Sequence, residues 1–340
     1  MSKKYNVAVV GATGAVGEVM LTLLKERKFP INKIYALASS KSAGKSVQFG
    51  TRTLKVSDLA QFDFSQCDLA LFSAGGSVSA KYAPIAGDAG CIVIDNTSHF
   101  RRDKDIPLVV PEVNPEALRD FKPRNIIANP NCSTIQMLVA LAPIHKAVGI
   151  TRINVSTYQA VSGAGQQGIE ELAKQTSALL SFGEVKAEVF SKPIAFNVIP
   201  HIDTFQENGY TREEMKMVWE TKKILDNKIL VNPTCVRVPV FYGHSEAVHF
   251  ETKKKIELDE VIDLLKSAKG VTIVDNPKQL QFPTPKEDAS GKDDVFVGRI
   301  RQDISCEKGI NFWVVSDNIR KGAALNSVQI AEKMIKMQLF

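Results

Sequence analysis

Val7-Ala8-Val9-Val10-Gly11-Ala12-Thr13-Gly14-Ala15-Val16-Gly17 is the stretch on which the reading of the fold turns. Its four apolar residues suit a buried strand. After the glycine run, Val16, Met20, Leu21, Leu23 and Leu24 recur at helical spacing until the breaker Pro30. Glycines between a strand and a helix let backbone NH groups and the helix N-terminus approach a pyrophosphate closely. The spacing is G-x-x-G-x-x-G, a relative of the usual G-x-G-x-x-G, and it also reads as a tight turn that binds nothing. Its place at the first strand-helix junction favours the phosphate site, with Gly11, Thr13, Gly14, Ala15 and Val16 as the candidate cofactor contacts.

Outward from this junction, short Val- and Ile-rich runs at 34–37, 69–72, 92–94 and 126–128 alternate with helical patterns. That alternation predicts βαβ units around a parallel sheet, an α/β fold with a Rossmann-like cofactor domain. From Thr151 the texture changes to longer alternating segments at 152–158, 234–240, 248–252 and 310–315, with helices expected at 168–180, 211–225, 259–266 and 323–337. Such segments suit a mixed or antiparallel sheet in a second, α+β domain. A chain of 340 residues exceeds what one core usually serves. The expected division is 1–128 for cofactor binding, joined by a C-terminal helix at 322–340, and 129–321 for catalysis, substrate binding and dimerisation. The stretch 281–294, with Pro283 and Pro285, reads as a loop.

The second strand ends near Ala38, where a fold that binds NAD usually carries an Asp or Glu for the ribose 2′-hydroxyl. Here Ser39-Ser40-Lys41-Ser42 offers hydroxyls and a cation. Ser39, Lys41 and Ser42 suit a 2′-phosphate and hence NADP, and the same residues read equally as a polar surface loop.

Composition bounds the rest. The apolar fraction of 44% and charged fraction of 24% are those of an ordinary globular protein. The net charge of +6 is spread along the chain, and its densest cluster, Lys253-Lys254-Lys255, lacks interleaved aromatics, which speaks against nucleic acid. Cys67, Cys91, Cys132, Cys235 and Cys306 form no C-x-x-C pair, so neither a zinc site nor a disulfide framework is expected. Reduced thiols fit a cytoplasmic protein. No export signal is read at the start, and no apolar run approaches the roughly 20 residues of a membrane span.

Asn129-Pro130-Asn131-Cys132-Ser133-Thr134 stands between a predicted strand and an apolar helical pattern over 135–144. Cys132 therefore sits at a helix N-terminus, whose open NH groups and positive dipole end favour a thiolate. The other four cysteines read as buried and inert. A thiolate beside a nicotinamide site implies addition to an aldehyde, loss of hydride and a thioester. Water would release an acid; phosphate would release an acyl phosphate.

The chain resembles the aspartate-semialdehyde dehydrogenase family over essentially its whole length. The resemblance rests on the glycine turn, Asp95-Asn96-Thr97-Ser98-His99-Phe100-Arg101, the run around Cys132, and Tyr158-Gln159-Ala160-Val161-Ser162-Gly163-Ala164-Gly165. It rests also on Glu213-Glu214-Met215-Lys216, on 237–244 and on Val315-Ser316-Asp317-Asn318. It implies reversible, phosphate-dependent oxidation of L-aspartate 4-semialdehyde to 4-phospho-L-aspartate with NADP. Biosynthesis uses the reduction, on the routes to lysine through diaminopimelate, threonine and methionine, and the enzyme is expected as a homodimer.

By the same resemblance Cys132 is the acylated nucleophile, Gln159 holds substrate near the thiol, and His244 is the acid/base residue. Residue type alone does not distinguish His244 from His99, His145, His201 or His249. Arg237 grips the substrate carboxylate, Glu213 meets its amino group, and Arg101 and Lys216 hold phosphate. Without the resemblance, Glu213 and Lys216 read as an i, i+3 surface salt bridge. Ser162, Gly163 and Asn318 are expected on the nicotinamide side, and no metal is expected. Two rivals stand beside this reading. N-acetyl-γ-glutamyl-phosphate reductase would leave Glu213 without a charged amine to pair, and a non-catalytic dinucleotide sensor would have no use for Cys132, Gln159, Arg237 and His244 together.

Overall fold

The computed structural model describes residues 3–339, and Met1, Ser2 and Phe340, which end the stretches assigned from sequence to the cofactor domain, lie outside the described residues. The chain forms two compact units, one running to Asn131 and resuming at Ala323, the other Cys132–Gly322. The first boundary falls after Asn131 rather than after residue 128. The buried Asn326 amide accounts for this, donating to Asn129 Oδ1 at 2.7 Å and to Val109 O at 3.0 Å, so the residues after the strand stay with the first unit.

In the first unit, β1 (Tyr5–Val10), α1 (Ala15–Glu26), β2 (Ile31–Ala38), β3 (Ser46–Phe49), β4 (Arg52–Asp58), β5 (Leu69–Phe72), α2 (Gly76–Asp88), β6 (Ile92–Asp95) and β7 (Ile126–Ala128) follow in order. They build a seven-stranded sheet in the order β3-β4-β2-β1-β5-β6-β7. All pairs are parallel except β3 with β4. The expected parallel sheet is present, and its strand order reverses beside β1, the place where open α/β sheets bind ligands. Met20, Leu21, Leu23 and Leu24 of α1 are buried in the core against Val7 and Val9. α2 is not predicted from sequence, because it packs through small residues. Its buried positions are Ser79, Ala83, Ala86 and Gly87, and a β-carbon on Gly87 would stand 2.4 Å from Arg124 O.

The second unit holds α3 (Cys132–Val148), β8 (Ile150–Gln159), α4 (Gln166–Leu180), α5 (Arg212–Ile224), β9 (Leu230–Arg237), β10 (His244–Thr252), α6 (Leu258–Ser267), β11 (Val271–Ile273), β12 (Val295–Gln302) and β13 (Gly309–Ser316). Its six-stranded sheet has the order β11-β12-β13-β10-β8-β9 and is mixed, as the sequence texture implies. β9 starts earlier than expected and stops at Arg237, and the stretch read as a loop contains a π-helical turn, Pro285–Ala289. α5 begins with a capping box in which Thr211 Oγ1 accepts from Glu214 N and Glu214 Oε2 from Thr211 N. α7 (Leu325–Lys336) returns to the first unit, where Glu332 takes a bidentate ion pair from Arg27 at 2.7 and 2.8 Å.

The glycine turn has little room for side chains. A β-carbon on Gly17 would lie 2.2 Å from Gly11 O. Gly17→Ala is therefore expected to cost about 1–3 kcal/mol, read as a lower urea midpoint. An unchanged midpoint would contradict the close packing of α1 on β1.

Candidate active site

Two sets of residues carry chemistry, one in each unit. In the first, Gly11 adopts φ +87°, a conformation open to glycine, and a β-carbon there would stand 2.6 Å from Ser73 O. The N-cap of α1, Gly14, offers no side-chain cap, so the helix's first-turn amides are the donors that an anion needs. Gly11, Thr13 and Gly14 line a cavity of about 440 Å³ together with Ser39, Ser42 and Asp58. Of the cofactor contacts read in this unit, Ala15, Val16 and Lys41 are not among its walls, and Ser162, Gly163 and Asn318 belong to the other unit. Val16 packs its side chain on the core. Lys41 sits in the exposed turn Ser40–Ser42, whose two serines line the cavity. Arg101 also belongs to this unit; it is buried and donates from Nη2 to Asn96 O at 2.8 Å.

The second unit assembles Cys132, Gln159, Glu213, Lys216, Arg237, His244, Ser162, Gly163 and Asn318. Cys132 is the first residue of α3 and is partly exposed, whereas Cys67, Cys91 and Cys235 are buried. Burial pushes the Cys67 thiol up to about 12 and the Cys91 and Cys235 thiols well above their ordinary value, which leaves them unreactive near neutrality. Cys306 corrects the sequence reading, since it is partly exposed in the turn between β12 and β13 rather than buried.

Parallel pairing of β8 with β9 sets Gln159 beside Arg237. Gln159 donates to Glu213 Oε1 at 3.1 Å, and Glu213 Oε2 accepts from Lys216 Nζ at 2.9 Å. Asp203 takes a second bond from Lys216, also at 2.9 Å. This is no surface pair, because Glu213 is 5% exposed. Asp203 is a member that sequence reasoning missed, as it stands outside every motif. Desolvation, opposed by Glu213 and Asp203, acts on Lys216, and its pKa lies above the ordinary lysine value.

Arg237 Nη1 donates to Ala160 O at 2.6 Å, and Ala160 N donates to His244 Nδ1 at 3.0 Å. His244 is fully buried; burial first, then Arg237, pulls its pKa down to about 3 against Glu213. A β-carbon on Gly163 would lie 2.8 Å from Arg237 Nη1 and 3.4 Å from His244 Nε2, so glycine permits both groups to converge. Gly322, absent from the sequence reading, does the same for Cys132: a β-carbon there would stand 2.7 Å from Cys132 Cβ. Asn318 Oδ1 accepts from Gly243 N at 2.9 Å while its amide donates to Ser162 Oγ at 3.0 Å, tying together the segments that flank His244 and Gly163.

The paired architecture defines the class. One family model, "Semialdehyde dehydrogenase, NAD binding domain", matches residues 6–121, and another, "Semialdehyde dehydrogenase, dimerisation domain", matches 141–321. The chain is 61% identical over 337 residues to aspartate-semialdehyde dehydrogenase 2 of Vibrio cholerae, covering 99% of each. It superposes with TM-score 0.97 on the crystal structure of Vibrio cholerae aspartate semialdehyde dehydrogenase II complexed with ASA, at 61% identity and covering 98% of this chain and 99% of that one. The Candida albicans aspartate semialdehyde dehydrogenase structure with NADP gives TM-score 0.76 at 26% identity, covering 99% of this chain and 100% of that one. The chain belongs to the aspartate-semialdehyde dehydrogenase family of oxidoreductases.

Glu246 lies two residues beyond His244 on β10 and is fully buried, opposite Thr157 of β8 and Val314 of β13. Among the described residues neither carboxyl oxygen has a hydrogen-bond partner of ordinary geometry. Burial drives its pKa well above the carboxylate range, only partly opposed by Gln136 of α3. Its neutral form is thus the one that the fold accepts. A raised folded pKa means that stability is fully present below the unfolded value, about 4.3, and is lost as pH rises toward the folded one. Glu246→Gln, which cannot ionise, is expected to match the parent at pH 4 and to gain Tm progressively up to pH 8. A Tm difference independent of pH would refute the buried neutral acid.

Proposed function

We propose that the protein catalyses the reversible, NADP- and phosphate-dependent oxidation of L-aspartate 4-semialdehyde to 4-phospho-L-aspartate through a Cys132 thioester. The observation that carries this reading is the convergence on one unit of a helix-initiating cysteine, a buried guanidinium, a buried carboxylate and a buried imidazole. The substrate is a small amino acid with a carboxylate, an ammonium and an aldehyde, and each group has its counterpart. Arg237, held through Nη1 by Ala160 O, keeps further guanidinium donors for a carboxylate. Glu213 offers its charge to the ammonium, and the amide of Gln159 orients the substrate without adding charge.

The Cys132 sulfur attacks the aldehyde carbon, and the thioester that follows is released by phosphate. Arg101 and Lys216 are the cations assigned to that phosphate. Lys216 is now held by Glu213 and Asp203, so anion binding competes with two carboxylates. His244 is the proton-handling group, with Nε2 as its available atom. The acetylated-amine rival finds no support in the buried charge of Glu213, and a non-catalytic sensor has no use for the aligned set.

The first unit fits NADP, because Gly11 and Gly17 keep β-carbons out of the turn and the serines line a cavity of about 440 Å³. Gly11, Thr13 and Gly14, with the amides of Ala15 and Val16, would hold the pyrophosphate, and Ser39 and Ser42, with Lys41 from the rim, the 2′-phosphate. Ser162, Gly163 and Asn318 are assigned to the nicotinamide end. Bound nicotinamide supplies the hydride acceptor in the oxidative direction. The Candida relative was solved with NADP, which supports this choice over NAD. The dimerisation-domain match supports a homodimer. No helix among the described residues is long and apolar enough to cross a membrane, and cytoplasmic amino-acid biosynthesis, toward lysine, threonine and methionine, is the setting that we assign.

Steady-state assays with aspartate semialdehyde test this directly. NADP is expected to exceed NAD in kcat/KM by roughly 10-fold or more, given the charge-assisted bonds to the 2′-phosphate. Turnover should require phosphate or arsenate, and Cys132→Ala should lower it by several orders of magnitude. Preference for NAD, independence from the anion or an active Cys132→Ala variant would each overturn the corresponding part.

A further inference from the structure

We infer that Phe190 is a positioning residue that presents Arg237 to the substrate carboxylate, and that the segment 186–195 achieves this by being fastened along α4. The consequence for substrate rests on Arg237 being the carboxylate grip proposed above. The guanidinium carbon of Arg237 lies over the Phe190 ring, 5.7 Å from its centroid, within the range of a cation–π contact. Arg237 is buried, and burial disfavours its charge and pulls its pKa below the ordinary arginine value, against Glu213. A π face meets that charge without occupying an N–H. Nη1 is already bonded to Ala160 O, so the donors that remain are kept for a carboxylate, whereas an acidic side chain in place of the ring would compete for them. Ring and carbonyl together also narrow the rotamers of a long side chain before substrate arrives, which lowers the ordering that binding demands.

The segment that carries Phe190 is neither helix nor strand, and two buried side chains of α4 hold its main chain. Glu171 Oε2 accepts from Glu188 N at 3.1 Å and from Val189 N, the residue just before Phe190. Gln175, one turn further along the helix, donates to Glu171 Oε1 at 2.9 Å and to Lys186 O at 2.8 Å. Its own Oε1 accepts from Ile194 N at 2.8 Å and from Ala195 N at 3.1 Å. Phe190 therefore stands in a short loop whose two ends are tied to adjacent turns of one helix. Its side chain packs on the cluster of Val161, Leu172 and Ile194. α4 yields room for the ring at Gly168, where a β-carbon would stand 3.1 Å from Phe190 Cζ.

Steady-state kinetics of the full enzyme with aspartate semialdehyde test this in two ways. Phe190→Leu keeps an apolar side chain and removes the π face. Site-specific replacement of Phe190 by 3,5-difluorophenylalanine and by pentafluorophenylalanine keeps the ring's shape and drains its face of negative potential, so it reads the contact even if Phe190→Leu does not fold. The KM for aspartate semialdehyde is expected to rise stepwise with fluorination, reaching about 10-fold in pentafluorophenylalanine and in Phe190→Leu, with kcat within about 2-fold of the parent. A KM indifferent to fluorination, or a loss confined to kcat, overturns the inference, since a ring that merely fills space would behave so. Glu171→Gln sets an amide donor against the amides of 188–189 or against Gln175, and should raise KM in the same way by a smaller factor; an unchanged KM overturns the role of the clamp. Arg237→Lys separates the two readings. If it raises KM while the Phe190 series does not, the positioning role alone falls; if it leaves KM unchanged, the carboxylate reading falls as well.

Discussion

A single peptide unit, the backbone of Ala160, sets the polar geometry of the second unit. Its carbonyl accepts from Arg237 at 2.6 Å and its amide donates to His244 at 3.0 Å. The residue follows β8 directly, so its position is inherited from a ladder in which β8 pairs with β9 on one side and β10 on the other. Those two neighbours carry Arg237 and His244 at their ends. One short segment of main chain therefore aims a guanidinium and an imidazole, and neither can turn away without leaving a buried backbone group unpaired. The next residues form the turn Val161–Ala164, where Gly163 yields the space that both side chains occupy.

Charge within the same unit is arranged in a chain rather than in isolated pairs. Glu213 is shared between the Gln159 amide and Lys216, and Lys216 between Glu213 and Asp203. Each of these bonds gives a partner to a polar group that burial would otherwise leave without one. Glu246, only two residues from His244, has Gln136 alone to oppose its burial, which drives its pKa well above the carboxylate range. The contrast between these two acids shows how neighbours rather than residue type decide charge here.

Much of this was legible in the sequence. The strands at 7–10, 69–72 and 126–128 and the capped helix from Thr211 are local patterns, and local patterns survive folding. Cys132 was legible by position, at the end of a strand and the start of an apolar helix. What was not legible is non-local. α2 packs by small side chains and shows no apolar period. The hairpin of β3 and β4 carries charged, exposed positions such as Arg52 and Lys55 that hide its alternation. Gly322 and Asp203 matter only through neighbours far along the chain, and the burial of Glu213 reverses what an i, i+3 charge pair means on a solvated helix. His244 was distinguishable from the other histidines only by resemblance, whereas in the structure its full burial singles it out.

The claim at the centre is that the sulfur beginning α3 takes the substrate's carbon. Rapid mixing of enzyme, NADP and aspartate semialdehyde without phosphate, followed by acid quench and peptide mass mapping, measures this directly. The account predicts that the peptide containing Cys132 gains the mass of the aspartyl acyl group and loses it again when phosphate is added before the quench. An unmodified Cys132, or an acyl group found on another residue, would contradict it.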